Sequence, residues 1–135
     1  MEKIGYSNTE IDRFLIPKKN QLKKCLKPIH EARGIPNDYY IRPECFEMEG
    51  EHLFNKGWFA IGFVKDLPQP GSVKPVNYFK NPLLLIRSTQ DKKIRVFQNV
   101  CRHRGMTLIE EPTVLKGAIR CPYHSWCYKQ TGEVL

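Results

Sequence analysis

The sequence predicts a mainly β fold, a small antiparallel β domain preceded by an N-terminal arm and one amphipathic helix. Two observations carry that prediction. After residue 57 the chain breaks into short runs rich in Val, Ile, Phe and Tyr, spaced by turn-forming residues. Before residue 57 the only sustained helical period is a single stretch of Phe46, Gly50, Leu53 and Phe54, spaced at four, seven and eight residues from the first.

The elements follow in order. Residues 1–40 read as a basic arm with a capping box from Ser7 to Glu10 and a short apolar patch of Ile11, Phe14 and Leu15, then interruptions at Pro17, Pro28, Gly34 and Pro36. Pro43 suits the first turn of the following helix, which is expected to end near Gly57. Strands are expected in WFAIGFV (58–64), VKPVNYF (73–79) after the LPQPGS turn, LLLIR (83–87), KIRVFQ (93–98) after the STQDK turn, and VLKGAIRC (114–121). The second domain is therefore placed at 41–135.

Composition excludes several classes. With 41% hydrophobic and 27% charged residues in 135, the chain is an ordinary globular sequence rather than a disordered or fibrous one. Its longest apolar run, residues 58–64, is too short to cross a bilayer, and no leader-like apolar segment opens the chain, so a cytoplasmic location is expected. Much of the net charge of +8 sits in one place: Lys18, Lys19, Lys23, Lys24, Lys27 and Arg33 against the single acid Glu31. No aromatic platform interleaves those cations, so they read as a solvated face and not a nucleic-acid surface. Five cysteines, an odd number, argue for reduced thiols rather than a disulfide framework. Cys25, Cys45 and Cys127 read as small structural residues.

The chemistry is concentrated in CRHRGMTLIEEPTVLKGAIRCPYH. Cys101 with His103 and Cys121 with His124 form two mixed pairs, seventeen residues apart, each following a predicted strand and so placed on a loop. Two thiolates and two imidazoles suit tetrahedral zinc, or a [2Fe-2S] cluster with the cysteines on one iron and the histidines on the other. Zinc modules usually pair like with like. A two-iron cluster gripped by two loops asks instead for one Cys and one His from each.

These loops, CRHRG and CPYHSW, resemble the ligand loops of a Rieske iron-sulfur domain. The wider string, from PECFEMEGEHLFNKGW through LPQPGS to RVFQNVCRHRG, is similar to the N-terminal part of the large subunit of Rieske non-haem iron oxygenases, over about residues 34–135. The resemblance implies a Rieske-type β domain whose [2Fe-2S] ligands are Cys101, His103, Cys121 and His124. Respiratory Rieske proteins carry an additional Cys in each loop, forming a disulfide. Met106 and Tyr123 stand in those places here, as in the oxygenase branch. Neutral imidazoles would then put the cluster in the Rieske window of about −150 to +300 mV. Ser125 departs from the more usual Gly, and a local adjustment is expected there. Trp126 is expected as a core aromatic beneath the loop, and Arg102 and Arg104 as solvated or electrostatic neighbours of the cluster.

By the same resemblance, a reductase or ferredoxin supplies electrons. The cluster passes them to a mononuclear Fe(II) in an oxygenase catalytic domain of a homotrimer, with His124 at the inter-subunit contact. The remaining histidines, His30 and His52, lie upstream of where that iron's ligands would begin, so the chain is expected to be an N-terminal fragment that holds a cluster weakly when isolated. The GIPNDYY start is as similar to relatives acting on quaternary amines as to those acting on aromatic rings. A stand-alone Rieske ferredoxin is the alternative, but the arm and helix before the first strand favour the oxygenase subunit, and visible absorption would separate either from a zinc module.

Overall fold

A computed structural model describes residues 19–135. The capping box at Ser7 and the patch of Ile11, Phe14 and Leu15 lie outside the described residues. The chain divides into two units, one running through Phe59 and the other spanning Ala60–Leu135.

In the first unit, α1 (Lys19–Leu22) tightens into a 3-10 turn at Lys23–Leu26. The loop beyond folds back through a hydrogen bond from the Arg33 N–H to the Lys24 carbonyl, 3.1 Å, and an ion pair from Lys27 to Glu31, 3.1 Å. Both charges of that pair are half exposed, so it adds little stability. Helix α2 (Asp38–Ile41) ends at Arg42, whose extended backbone (φ −86°, ψ 128°) breaks the helix and lets Pro43 open α3 (Pro43–Glu49). Proline at this position sacrifices no hydrogen bond, because the first N–H groups of a helix lack intrahelical partners.

The predicted helix is present, but its tail is a π-helical turn, Gly50–Phe54. The wider turn abandons the 3.6-residue register on which the apolar stripe was read. Phe46 and Leu53 of that stripe are exposed, and the buried residues are Cys45 and Gly50. The Cys45 thiol donates to the Asp38 carbonyl at 3.6 Å, tying α3 to α2.

The second unit is built on a four-stranded antiparallel sheet in the order β3-β2-β1-β4, with β1 at Ser72–Tyr78, β2 at Asn81–Arg87, β3 at Ile94–Gln98 and β4 at Thr113–Val114. A separate ribbon pairs β5 (Ile119–Arg120) with β6 (Cys127–Tyr128). Central strand β2 is buried on both faces, which is why it reads as an unbroken apolar run. Leu84 and Ile86 face a core of Val73, Cys101, Leu108, Ile119, Cys121 and Tyr128. Leu85 points the other way, against the chain at Gly62, where a Cβ would sit 2.9 Å from its Cδ2. On that same face Asp66 accepts from the Phe63 N–H (3.1 Å) and from the Lys74 ammonium (2.9 Å), and these bonds hold its carboxyl below the usual carboxylate range.

Two expected strands differ. Residues 58–63 pair with no strand among the described residues, and Trp58, Phe63 and Val64 are largely exposed. β-propensity records a fit to a half-buried pleated surface, and without a partner edge that fit has nothing to act on. VLKGAIRC divides at Lys116–Gly117: Val114 pairs with Ser72 of β1, whereas Ile119 pairs with Tyr128 of β6. The buried Gln130 holds the break, accepting from the Thr89 N–H and donating to the Gly117 carbonyl, both at 2.7 Å.

Gly71 fixes the start of β1. Its φ is +89°, and a Cβ there would approach the Leu115 carbonyl oxygen to 2.3 Å, a backbone atom that cannot move without breaking the Leu115 N–H bond to the Gly71 carbonyl at 2.8 Å. Gly71→Ala is accordingly expected to destabilise the protein by about 2–4 kcal/mol, combining unfavourable φ with a clash. Urea unfolding followed by circular dichroism checks this, and an unchanged midpoint refutes it.

Candidate metal centre

Each Cys–His pair occupies the tip of a hairpin. The first tip, Cys101–Met106, is closed at its base by the antiparallel bridge between Val100 and Thr107; the second, Cys121–Trp126, by the pairing of Arg120 with Cys127. Both tips close with the same backbone bonds. The Cys101 N–H donates to the Met106 carbonyl (2.7 Å) and the Gly105 N–H to the Cys101 carbonyl (2.9 Å). In the second tip the Cys121 N–H donates to the Trp126 carbonyl (2.8 Å) and the Ser125 N–H to the Cys121 carbonyl (3.1 Å).

This winding requires positive φ at the fifth residue of each tip. Gly105 has φ +72° and Ser125 has φ +59°. The departure at Ser125 therefore amounts to placing an L-residue with a Cβ in the left-handed region, and not only to fitting a slightly larger side chain beside a ligand.

The tips share a division of exposure. Cys101 and Cys121 are each 2% exposed and belong to the core, whereas 102–106 and 122–126 are exposed. The two thiols lie close enough to interact, so the sulfur end of the site is dry and the imidazole end is wet. There the rings of His103 and His124 lie 4.9 Å apart at 70°. Among the described residues no three Cys, His, Asp or Glu side chains gather around a point for a single ion. Two pairs of donors, one of sulfur and one of nitrogen, suit a group with two irons better than tetrahedral zinc.

The buried Cys101 sulfur is supplied with donors. The Tyr128 hydroxyl lies 3.1 Å from Cys101 Sγ and accepts from the Arg102 N–H at 3.0 Å, which leaves its own proton for the sulfur. That hydroxyl is the main cause of a Cys101 thiol held below its ordinary value. Burial opposes it, and the backbone N–H groups of His103 and Arg104 and the Cys121 side chain assist. Burial first, and then the bond to Cys101, raises Tyr128 in turn. Loop residues Arg102 and Arg104 add positive charge, and neither tip contains a carboxylate.

Sequence reasoning missed three of these features. Tyr128 was signalled only weakly, as an aromatic with a polar tip on a strand that enters the core, where its hydroxyl needs a partner. Trp126 is not a core residue: it is 40% exposed and stacks on His103, with ring centroids 5.0 Å apart and planes 1° apart. A third residue, Asn99, is buried and clasps the far side of the first tip, donating to the Ile109 carbonyl (2.6 Å) and accepting from the Ile109 N–H (3.0 Å). His30 and His52 are exposed on the first unit, and all five cysteines are free of disulfides.

Because a Cβ at residue 105 would meet nothing within 4 Å, the demand on the fifth position is conformational and not steric. Ser125→Gly should therefore stabilise the protein, by about 0.5–1 kcal/mol, whereas Gly105→Ala should destabilise it by a similar amount. Thermal melts of the metal-free variants check both signs, and equal melting temperatures refute the argument.

Residues 57–135 match the model of the Rieske [2Fe-2S] domain. The chain is 34% identical over 82% of its length to the carnitine monooxygenase oxygenase subunit of Escherichia coli, covering 29% of that protein. It is 30% identical over 90% of its length to the glycine betaine monooxygenase oxygenase subunit of Pseudomonas aeruginosa, covering 28% of it. The crystal structure of naphthalene 1,2-dioxygenase from Rhodococcus sp. superposes over 96% of this chain and 27% of that one, at 25% identity and a TM-score of 0.74. The chain thus spans under a third of the length of the curated relatives it matches. Its paired loops, its mainly antiparallel β fold and the match to the domain model place it in the Rieske [2Fe-2S] domain family, with oxygenase subunits among its relatives.

Proposed function

We propose that Cys101 and Cys121 hold one iron of a [2Fe-2S] cluster and His103 and His124 the other, and that the chain is the electron-transfer domain of an oxygenase large subunit. The observation that carries this is the pairing of two identically wound tips, with thiols together at the buried end and imidazoles together at the exposed end. A Rieske cluster bound there takes up and passes on one electron at a time.

The chain's own residues favour the extra negative charge of the reduced state. Tyr128 donates toward Cys101, and backbone N–H groups of His103 and Arg104 point at the same sulfur. Exposed imidazoles give the electron a way out, with His124 as the proposed contact to the catalytic iron of a neighbouring subunit in a homotrimer. The electron donor is a reductase or ferredoxin. The relatives named for carnitine and glycine betaine favour a quaternary amine over an aromatic ring as the parent's substrate. A stand-alone carrier has less support, because helix α3 precedes the β domain and the relatives are oxygenase subunits. No described helix is long and apolar enough to cross a membrane, which accords with the proposed cytoplasmic location. The proposed division remains a basic arm at 1–40 and the Rieske domain at 41–135.

Anaerobic reconstitution with excess iron and sulfide tests the ligand set. The wild-type chain is expected to give a Rieske electron paramagnetic resonance signal, which fades on gel filtration because the histidine-held iron faces water. His103→Ala and Cys121→Ala are each expected to abolish the signal. A zinc-loaded, colourless protein, or a Rieske signal that survives His103→Ala, overturns the assignment.

Tyr128→Phe keeps the ring in the core and removes the donor to Cys101. It is expected to lower the midpoint potential by roughly 20–60 mV, the one-electron equivalent of an ordinary hydrogen bond. An unchanged or raised potential in redox titration shows that the hydroxyl does not act on the cluster.

A further inference from the structure

We infer that Trp126 is a positioning residue for His103, holding the imidazole plane from across the two tips and clipping them together without any metal. The inference rests on the ligand reading above.

Three observations converge on it. The indole of Trp126, on the second tip, lies parallel to the imidazole of His103, on the first, 1° between planes and 5.0 Å between centroids. Parallel rings at that separation are offset-stacked, which is the attractive arrangement for two π faces. The carbonyl of Trp126 accepts from the Cys121 N–H at 2.8 Å, so the bond that closes the second tip also anchors the residue that reaches the first. His124 is served differently. Its neighbour is Tyr123 of its own tip, with centroids 3.7 Å apart and planes tilted by 41°. The four rings run Trp126, His103, His124, Tyr123, with the two imidazoles between the two larger aromatics.

The consequence is specific to the exposed end. His103 is exposed and outside the core, and its ring meets the indole of Trp126 and the second imidazole. An imidazole free to turn about its bond to iron would give a spread of ligand orientations. A ring stacked on Trp126 has one. The stack covers a face of His103, so an approaching partner meets the ring's edge.

Two measurements test this, one of them independent of the cluster. In the metal-free chain, the ring protons of His103 are expected upfield of their ordinary positions in 1H–13C NMR spectra, through the indole ring current. Trp126→Leu should return them to ordinary positions and Trp126→Phe should retain much of the shift. Ordinary positions in the wild type overturn the proposal even if every variant misfolds. In the reconstituted chain, Trp126→Leu should broaden the Rieske resonance and shift its g values at unchanged iron content, and Trp126→Phe should restore the wild-type line. A Trp126→Leu spectrum identical to wild type shows that apolar cover suffices and overturns the positioning role. A chain with the upfield His103 shift but no Rieske signal condemns the ligand reading and leaves the metal-free clip standing.

Discussion

The second unit is organised around the burial of two thiols side by side. Cys101 and Cys121 occupy the same core as Leu84, Ile86 and Val73, and a thiolate taken from water into such surroundings is unfavourable unless donors replace the lost water. For Cys101 the donors come from both hairpins. β6 ends at Tyr128, whose hydroxyl reaches Cys101, and the turn of the first tip aims two backbone N–H groups at the same sulfur. The positive φ at Gly105 and Ser125 belongs to the same requirement, since it curls each tip back on its own cysteine. The sheet provides the floor, with Leu84, Leu85 and Ile86 of β2 buried on its two faces.

Buried polar side chains hold this arrangement from outside. Asn99 makes both hydrogen bonds that a paired strand residue would make to Ile109, and so closes the first hairpin where its strands diverge. Gln130 does the same where the chain leaves β4 for β5, using both ends of its amide. Each amide is buried, and each is satisfied at both its donor and its acceptor atom, so the desolvation of the polar group is offset by two well-made bonds. Truncating Asn99 would remove the partner of both Ile109 backbone groups, and truncating Gln130 that of the Thr89 N–H and the Gly117 carbonyl.

Much of this was legible in the sequence, and the parts that were not share a cause. Strands β1, β2 and β3 followed from short apolar runs and the turn residues between them, because their order is set by neighbouring hairpins and needs no distant partner. The mixed Cys–His pairs each followed a predicted strand, and the structure places both at hairpin tips. Residues 58–63 failed as a strand because a strand is defined by its partner, and the sequence does not say which edge is free. Phe46 and Leu53 failed as a buried stripe because a π turn changes the period, and no local residue type announces one. Trp126 was assigned to the core from its size. Its position in a tip whose other residues, the cysteine excepted, are exposed overrides that preference.

The two tips are alike in winding but not in content, and the difference explains how the exposed end is built. The histidine is the third residue of the first tip and the fourth of the second, so identical backbones deliver imidazoles at different points of the curl, and the rings meet at 70° rather than face to face. The remaining positions divide by character. The first tip carries Arg102 and Arg104; the second carries Tyr123 and Trp126. The cations of the first tip are exposed, while the hydroxyl that reaches Cys101 comes from Tyr128, beyond the second tip. Aromatics beside the histidines cover ring faces without competing for ring nitrogens, since an indole or phenol ring face offers no lone pair. The two hairpins therefore meet at both ends of the site, through the Tyr128 hydroxyl on Cys101 at the buried end and through the stack of Trp126 on His103 at the exposed end.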